Sequence, residues 1–188
     1  MNAVAAKTRR VHVTPLRWAG AGVAIALAIV CAVVLDPASS AVVGALGCAV
    51  LVAVSVVDLE SRRVPNRIIV PALVAALIAR TALDPSPRWI GGAAVAGGAL
   101  LALALVYPAG LGMGDVKLGA FLGGWLAWHG VLAIVLGSFA AFIPALGIIA
   151  MRGRAARKVG LPFAPFLALG GVIALLAGHD IMHWYRGL

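Results

Sequence analysis

Long apolar runs separated by short polar breaks are the feature that most restricts how this chain can fold. A helix needs roughly 20 apolar residues to cross a bilayer. Seven runs approach that length, at about 18–35, 41–57, 67–83, 89–107, 117–128, 130–151 and 161–178. Only 11% of the residues are charged, against about a quarter in soluble domains. We therefore predict an all-α, polytopic transmembrane bundle of about six or seven membrane-spanning helices.

The third and fifth runs are the weakest of the seven. The third is fully apolar only from Ile68 to Ala79. The fifth is too short to span the bilayer comfortably, and would be either tilted or partly continuous with the sixth. Whether the fifth and sixth runs form separate helices is left open by the sequence.

The basic residues support this topology. The net charge of +9 comes from Lys and Arg residues in the short breaks, which favours membrane orientation over nucleic-acid binding. If the N-terminus is cytoplasmic and the spans alternate, all but three of the 15 Lys and Arg residues lie on the cytoplasmic side. The exceptions are Arg80, Arg88 and Arg186. We expect a multi-pass protein of the cell membrane, with lipids as partners and no nucleic acid.

The predicted topology divides the chain into four parts. Residues 1–17 form a basic cytoplasmic tail, and residues 18–40 form a first transmembrane helix that we expect to be retained. Residues 41–178 form the main membrane domain, whose Gly- and Ala-rich spans favour close helix packing. Residues 179–188 form a short extracytoplasmic tail. Cys31 and Cys48 lie in apolar runs without CxxC spacing, which argues against a zinc ribbon or a disulfide framework.

Two of the six acidic residues fall where they would meet. Asp58 ends the second run and Asp115 ends the loop GLGMGD, while the third and fourth spans make an out-and-back excursion between them. Both carboxyls therefore return to the predicted cytoplasmic surface. Two close carboxyls do not easily ionise together, so one holds a proton while the other acts as a base. Such a pair suits peptide hydrolysis without a metal or other cofactor. The simpler interpretation is that both are charges marking helix ends.

The loop before Asp115 is rich in glycine. Gly110, Gly112 and Gly114 permit backbone conformations and close approaches that other residues forbid, so an extended peptide would pass near Asp115. Lys117 would either steady a charge there or extend to the membrane interface. The phosphate-binding pattern GxxxxGK[ST] is absent from this sequence.

These segments resemble those of a known family. DLESRRVPNRI (58–68) together with GMGDVKLGAFLG (112–123) is similar to the prepilin peptidase, or type IV leader peptidase, family of GxGD aspartyl proteases. The resemblance implies that Asp58 and Asp115 are the catalytic pair. It also implies supporting roles for residues in the matching motifs, namely Pro65, Asn66, Gly112, Gly114 and Lys117.

A third segment, LPFAPFLALGG (161–171), is similar to the family's late PFxPF segment, with Ala164 where glycine is common. Pro162, Phe163 and Pro165 are its candidate supporting residues. Pro162 and Pro165 would either help to line substrate access or simply open a helix, since proline is tolerated in a first turn. The resemblance spans roughly residues 41–178.

The family resemblance implies an activity and a substrate. The chain would cleave after glycine at the cytoplasmic membrane face, removing the short basic leader of a type IV prepilin-like precursor. That precursor is the implied partner. No paired CxxC motifs occur in the sequence, so the cysteine-rich methylation domain of bifunctional members is not matched, and methyltransferase activity is not expected.

Other activities fit the sequence less well. HDIMH (179–183) spaces two histidines as in a zinc protease but offers no third ligand, and Trp184 and Tyr185 beside it suggest an interfacial belt. A serine protease would need a partner histidine and a suitable setting for Ser55 or Ser138. A small transporter or structural membrane subunit, using the carboxylates to bind protons or cations, is the non-enzymatic alternative.

Overall fold

The computed structural model describes residues 14–108, 110–152 and 161–187, and these fold into seven helices without a strand. This confirms the predicted all-α class. The helices are α1 (Pro15–Val34), α2 (Ala38–Ser61), α3 (Asn66–Leu83), α4 (Arg88–Val106), α5 (Met113–Leu126), α6 (His129–Arg152) and α7 (Ala164–Arg186). Most of the predicted basic tail lies outside the described residues. So do three of the four basic residues that follow the predicted sixth span, the exception being Arg152 at the end of α6.

Six of these helices, all except α5, are long and apolar enough to cross a membrane. With 14 residues, α5 rises roughly 21 Å, less than the roughly 30 Å of a hydrocarbon core. It contacts α3, α4, α6 and α7, and Leu118, Phe121, Leu122 and Trp125 on it are almost fully buried. The short helix is therefore enclosed by longer ones.

Helices α5 and α6 are separate. The chain turns at Ala127, whose φ of 52° lies in the left-handed region, and α6 begins at His129. This answers the question that the sequence left open.

The backbones of α4 and α5 are in close contact. A Cβ added at Gly123 of α5 would lie 2.0 Å from the carbonyl oxygen of Gly92 on α4. Only glycine permits that approach, and small residues at helix interfaces are the usual means of packing helices within lipid.

One residue, Trp125, joins three helices through its side chain and its backbone carbonyl. Trp125 of α5 donates its indole N–H to the carbonyl of Val43 on α2 at 3.1 Å. The guanidinium of Arg80 on α3 donates to the carbonyl of Trp125 at 2.9 Å. Helices α2, α3 and α5 are thus tied together at the end opposite Asp58.

Three helices extend four or more residues beyond the predicted apolar runs. Helix α5 begins at Met113 rather than at residue 117, so that Asp115 lies within it. Helix α2 continues through Ser61, so that Asp58 lies within its last turn rather than after it. Helix α7 continues through Arg186, past the end of the apolar run at residue 178.

Candidate active site

Asp58 is held in the last turn of α2. Arg62 follows the helix in the left-handed conformation, with φ 52°, and donates its backbone N–H to the Asp58 carbonyl at 2.7 Å. A residue in this conformation commonly ends a helix. A short connection, residues 62–65, then leads into α3.

The carboxyl group of Asp58 points into the protein. It is 5% exposed, and it is the only buried polar or charged side chain in the described part of the chain. The backbone N–H of Ala164, the first residue of α7, donates to its Oδ2 at 3.2 Å. Because a helix leaves its first N–H groups without intrahelical partners, this start is suited to a carboxylate.

Asp115 lies in the first turn of α5. Its Oδ2 accepts the backbone N–H of Gly112 at 3.2 Å, and its own N–H donates to the Gly112 carbonyl at 3.0 Å. Burial raises the pKa of Asp115 to about 6; the hydrogen bond from Gly112 opposes this rise, and the negative charge of Asp58 adds to it. The neutral form is thus favoured relative to an aspartate in water.

Asp58 and Asp115 line one cavity of about 310 Å³. The ends of α2, α3 and α5 enclose it, together with the connection after α2. Its remaining lining residues are Arg62, Arg63, Val64, Asn66, Gly112, Met113, Gly114 and Lys117. The cavity thus combines two carboxyls with several basic and amide groups, and we call it the aspartate cavity.

Gly114 allows α5 to start against the connection after α2. A Cβ at this position would lie 2.7 Å from the Cβ of Val64. Val64 is branched and packs against the core, so it has little freedom to move aside. The second glycine of the GxGD segment therefore fixes how closely Asp115 approaches α2.

Lys117 spans the cavity to α3. Its Nζ donates to Oδ1 of Asn66 at 2.7 Å. Both residues were expected to support the site, but the sequence did not indicate that they contact each other. The bond connects the first residue of α3 to the fifth residue of α5.

The predicted supporting residues of the third segment, 161–171, lie outside the aspartate cavity. Phe163 immediately precedes α7 and packs against the core, while Pro165 lies in the first turn of α7. Neither these two nor Pro162 is part of the cavity lining. The segment reaches the site through the backbone N–H of Ala164, a contact without a sequence signal. Arg62, Arg63, Val64 and Met113 were also not singled out from the sequence.

Glu60 is engaged elsewhere. Its carboxylate accepts hydrogen bonds from Arg17 Nη2 at 2.9 Å and from Thr14 Oγ1 at 2.6 Å. These contacts connect the start of α1 to the last turn of α2. Glu60 is not among the residues of the aspartate cavity.

The histidine pair suggested as a zinc site lies far along α7. The rings of His179 and His183 have centroids 6.4 Å apart, and the side chain of His179 is 87% exposed. Across the ranges 14–108, 110–152 and 161–187, no group of three His, Cys, Asp or Glu residues is arranged to hold a metal ion.

Comparison with known proteins gives consistent matches. The type IV leader peptidase family model matches residues 45–148. The chain is 34% identical over 169 residues to a prepilin leader peptidase/N-methyltransferase of Aeromonas salmonicida (strain A449), covering 85% of this chain and 57% of that protein. It is 35% identical over 143 residues to the prepilin leader peptidase/N-methyltransferase of Bacillus subtilis (strain 168), which covers 72% of this chain and 55% of that protein. A Pseudomonas aeruginosa protein of the same name is 34% identical over 147 residues, which covers 72% of this chain and 49% of that protein.

The matches therefore extend over most of this chain, whereas the chain spans about half the length of the curated relatives. No solved structure matches it.

Proposed function

Since the chain belongs to the type IV leader peptidase family, we propose that it is an intramembrane aspartyl endopeptidase that removes the basic leader from type IV prepilin-like precursors. The observation that carries the proposal is that Asp58 and Asp115 line one cavity although 57 positions separate them. The relatives named above supply the substrate class. The N-methyltransferase part of their name is not extended to this chain.

The two carboxyls take different roles in the proposed reaction. One is ionised and removes a proton from a water molecule, whose oxygen bonds to the carbon of the scissile carbonyl. The other carboxyl gives its proton to the carbonyl oxygen, which produces a tetrahedral diol. As the diol collapses, the C–N bond breaks and the leaving nitrogen takes up the proton first removed from water, while one diol hydroxyl returns its proton to the second carboxyl as the C=O bond re-forms. No covalent enzyme intermediate forms and no cofactor is consumed.

The surroundings of the two carboxyls support this division of roles. Asp115, whose pKa is raised to about 6, is suited to hold the shared proton. Both carboxyls accept a backbone N–H at a helix start, Asp58 from Ala164 of α7 and Asp115 from Gly112 before α5, so the raised pKa of Asp115 is what separates their roles. We therefore assign the acid role to Asp115 and the base role to Asp58 at the start of the reaction.

The remaining polar groups position the cavity walls. The Lys117–Asn66 bond joins α5 to α3, and Gly114 sets the distance between α5 and the connection after α2. We propose that the cavity opens at the cytoplasmic face of the plasma membrane. The concentration of Lys and Arg in the breaks on that side supports this orientation.

The test is to co-express the protein with a type IV prepilin-like precursor and to follow leader removal by gel shift. Asp58→Asn and Asp115→Asn are expected to abolish cleavage. Both keep an acceptor for the N–H of Ala164 or Gly112, so lost activity is not explained by a lost backbone contact. Asp180→Asn, which changes an 89% exposed side chain on α7, is the matched control. Full cleavage by either active-site variant would refute the pair, and ion flux without cleavage would favour transport.

A further inference from the structure

Two arginines on the wall of the aspartate cavity take no part in the proposed reaction. Arg62 and Arg63 line the cavity together with both aspartates, and both are exposed. In the part of the chain that the structure describes, neither guanidinium forms an ion pair. The third cation of the lining, Lys117, already donates to Asn66. The two guanidiniums are therefore available to a group that enters the cavity.

The lining of the cavity carries more positive than negative charge. Arg62, Arg63 and Lys117 are cationic, and all three lie around a space of about 310 Å³. The two aspartates carry a single negative charge between them when they share a proton. A cleft lined by an excess of one charge attracts the opposite charge. The cavity therefore favours an anion, which the basic side chains of a leader do not supply.

The backbone conformation of Arg62 is a second reason to assign a role to its side chain. Arg62 follows α2 with φ 52° and ψ 40°, in the left-handed region. Glycine is the usual residue there, because a Cβ makes this conformation unfavourable. Residues held in such conformations cluster at active sites and ligand sites. An arginine at a position that favours glycine therefore points to a use for the guanidinium.

The proposed reaction produces an anion inside this cavity. Hydrolysis converts the scissile carbonyl into a carboxylic acid at the new C-terminus of the leader. A terminal carboxyl has a pKa of about 3.5, so at neutral pH it loses its proton to the released amine. Its negative charge then lies near ionised Asp58, and two close carboxylates disfavour each other. Guanidinium groups offset this repulsion and can bind both oxygens of a carboxylate in parallel.

We propose that Arg62 and Arg63 form a carboxylate subsite that holds the new C-terminus of the cleaved leader. This inference rests on the proposed function and adds a product-binding site to it. Before cleavage the same carbon belongs to a neutral amide, which offers the two guanidiniums no charge. The cleaved leader is therefore bound through a contact that the intact precursor lacks, and it competes with the next precursor until it dissociates.

The test compares two synthetic peptides with the leader sequence of a type IV prepilin-like precursor. One ends in the free carboxylate of its last glycine, and the other ends in a carboxamide. Fluorescence anisotropy at neutral pH measures their dissociation constants for the full-length protein in a neutral detergent. The wild type should bind the carboxylate peptide roughly tenfold more tightly, as expected for a charge-assisted hydrogen bond. In Arg62→Gly/Arg63→Gln the two dissociation constants should agree within about twofold, since that contact is removed.

Two comparisons separate this subsite from a structural role of the arginines. Glycine suits the left-handed conformation at position 62, so Arg62→Gly should not lower the thermal unfolding temperature even though it removes the guanidinium. Arg67→Gln is the matched control, because Arg67 is an exposed arginine of α3 outside the lining. It should keep the wild-type ratio of the two dissociation constants.

Leader removal from the full precursor is measured on the same preparations. If the wild type removes the leader but binds both peptides equally, the subsite is refuted and the proposed function stands. An unchanged preference for the carboxylate peptide in Arg62→Gly/Arg63→Gln would also overturn the subsite. A wild type that does not remove the leader refutes the proposed function, and the subsite with it.

Discussion

The backbone N–H of Ala164 donates to Oδ2 of Asp58 at 3.2 Å, joining the start of α7 to the last turn of α2. These residues are 106 positions apart. The contact gives the buried carboxyl of Asp58 a partner and gives α7 a fixed starting point.

Removing this acceptor should therefore cost stability as well as activity. Asp58→Asn retains an oxygen for Ala164, whereas Asp58→Ala leaves the N–H without its partner. We expect Asp58→Ala to be less stable than Asp58→Asn by about 1–3 kcal/mol, the usual cost of an unsatisfied buried donor. Thermal unfolding in one detergent measures the difference. Equal stability of the two variants would mean that water replaces the carboxyl.

Replacing Gly114 should impair the site through packing. In Gly114→Ala the new methyl group would lie 2.7 Å from the Cβ of Val64, so that α5 must shift away from α2. Displacements of about 1 Å at an active site cost roughly a hundredfold in rate. Gly112→Ala is the matched comparison, because its methyl group would lie 3.5 Å from the Asp115 carboxyl, an ordinary contact, and its φ is −83°. Leader removal should therefore fall much further in Gly114→Ala. A larger loss of leader removal in Gly112→Ala than in Gly114→Ala would argue against the Val64 contact.

Lys117 and Asn66 should behave as one unit. Lys117→Met and Asn66→Ala each remove the 2.7 Å hydrogen bond that joins α5 to α3. An exposed hydrogen bond contributes on the order of 1 kcal/mol, so each change should slow leader removal about fivefold, and the double variant should be no slower than either single variant. Rates of leader removal by the wild type, the two single variants and the double variant complete the double-mutant cycle. If the slowing in the double variant equals the product of the two single effects, Lys117 acts on the substrate independently of Asn66.

The titration of Asp115 gives a pH prediction. Burial raises its pKa to about 6, so the proton required for the acid role is lost as the pH rises through about 6, and leader removal should decline above that value. Because the native pKa exceeds that of the unfolded chain, about 3.9, this group favours folding below about pH 4, and its contribution is lost as the pH rises through 6.

The same titration tests the coupling between the carboxyls. Asp58→Asn removes a negative charge and should lower the pKa of Asp115. It should not restore the ordinary value, because burial is the largest cause of the shift. Carboxyl NMR of labelled aspartate measures this directly, with Asp180→Asn as the control. A pKa of Asp115 that rises, or does not change, in Asp58→Asn would show that the two groups do not interact.

The sequence predicted the helices better than their ends. Seven apolar runs correspond to seven helices, because membrane burial leaves a strong compositional pattern. Hydropathy reports contact with lipid rather than helicity. The polar residues His179 and Asp180 therefore ended the predicted seventh span although α7 continues through them. Similarly, α2 continues past its apolar run until Arg62 adopts a left-handed conformation.

The sequence predicted those parts of the candidate site that depend on the type of side chain. The two aspartates and the glycine loop stand out because charge and glycine are unusual beside apolar runs. The donor to Asp58 is a backbone N–H, which any residue except proline supplies, so nothing in the sequence marks Ala164. The Lys117–Asn66 bond depends on the distance between α3 and α5, which is set by packing rather than by a local pattern.

Since the donor to Asp58 comes from α7, which follows both aspartates in the chain, the order of synthesis matters. A ribosome makes both aspartates well before residue 164, so Asp58 inserts into the membrane before its partner exists. The N–H of Ala164 reaches the carboxyl only once α7 has been made and packed. The site is therefore completed only after α7 has been made, and a nascent chain arrested before α7 carries both carboxyls without a finished site.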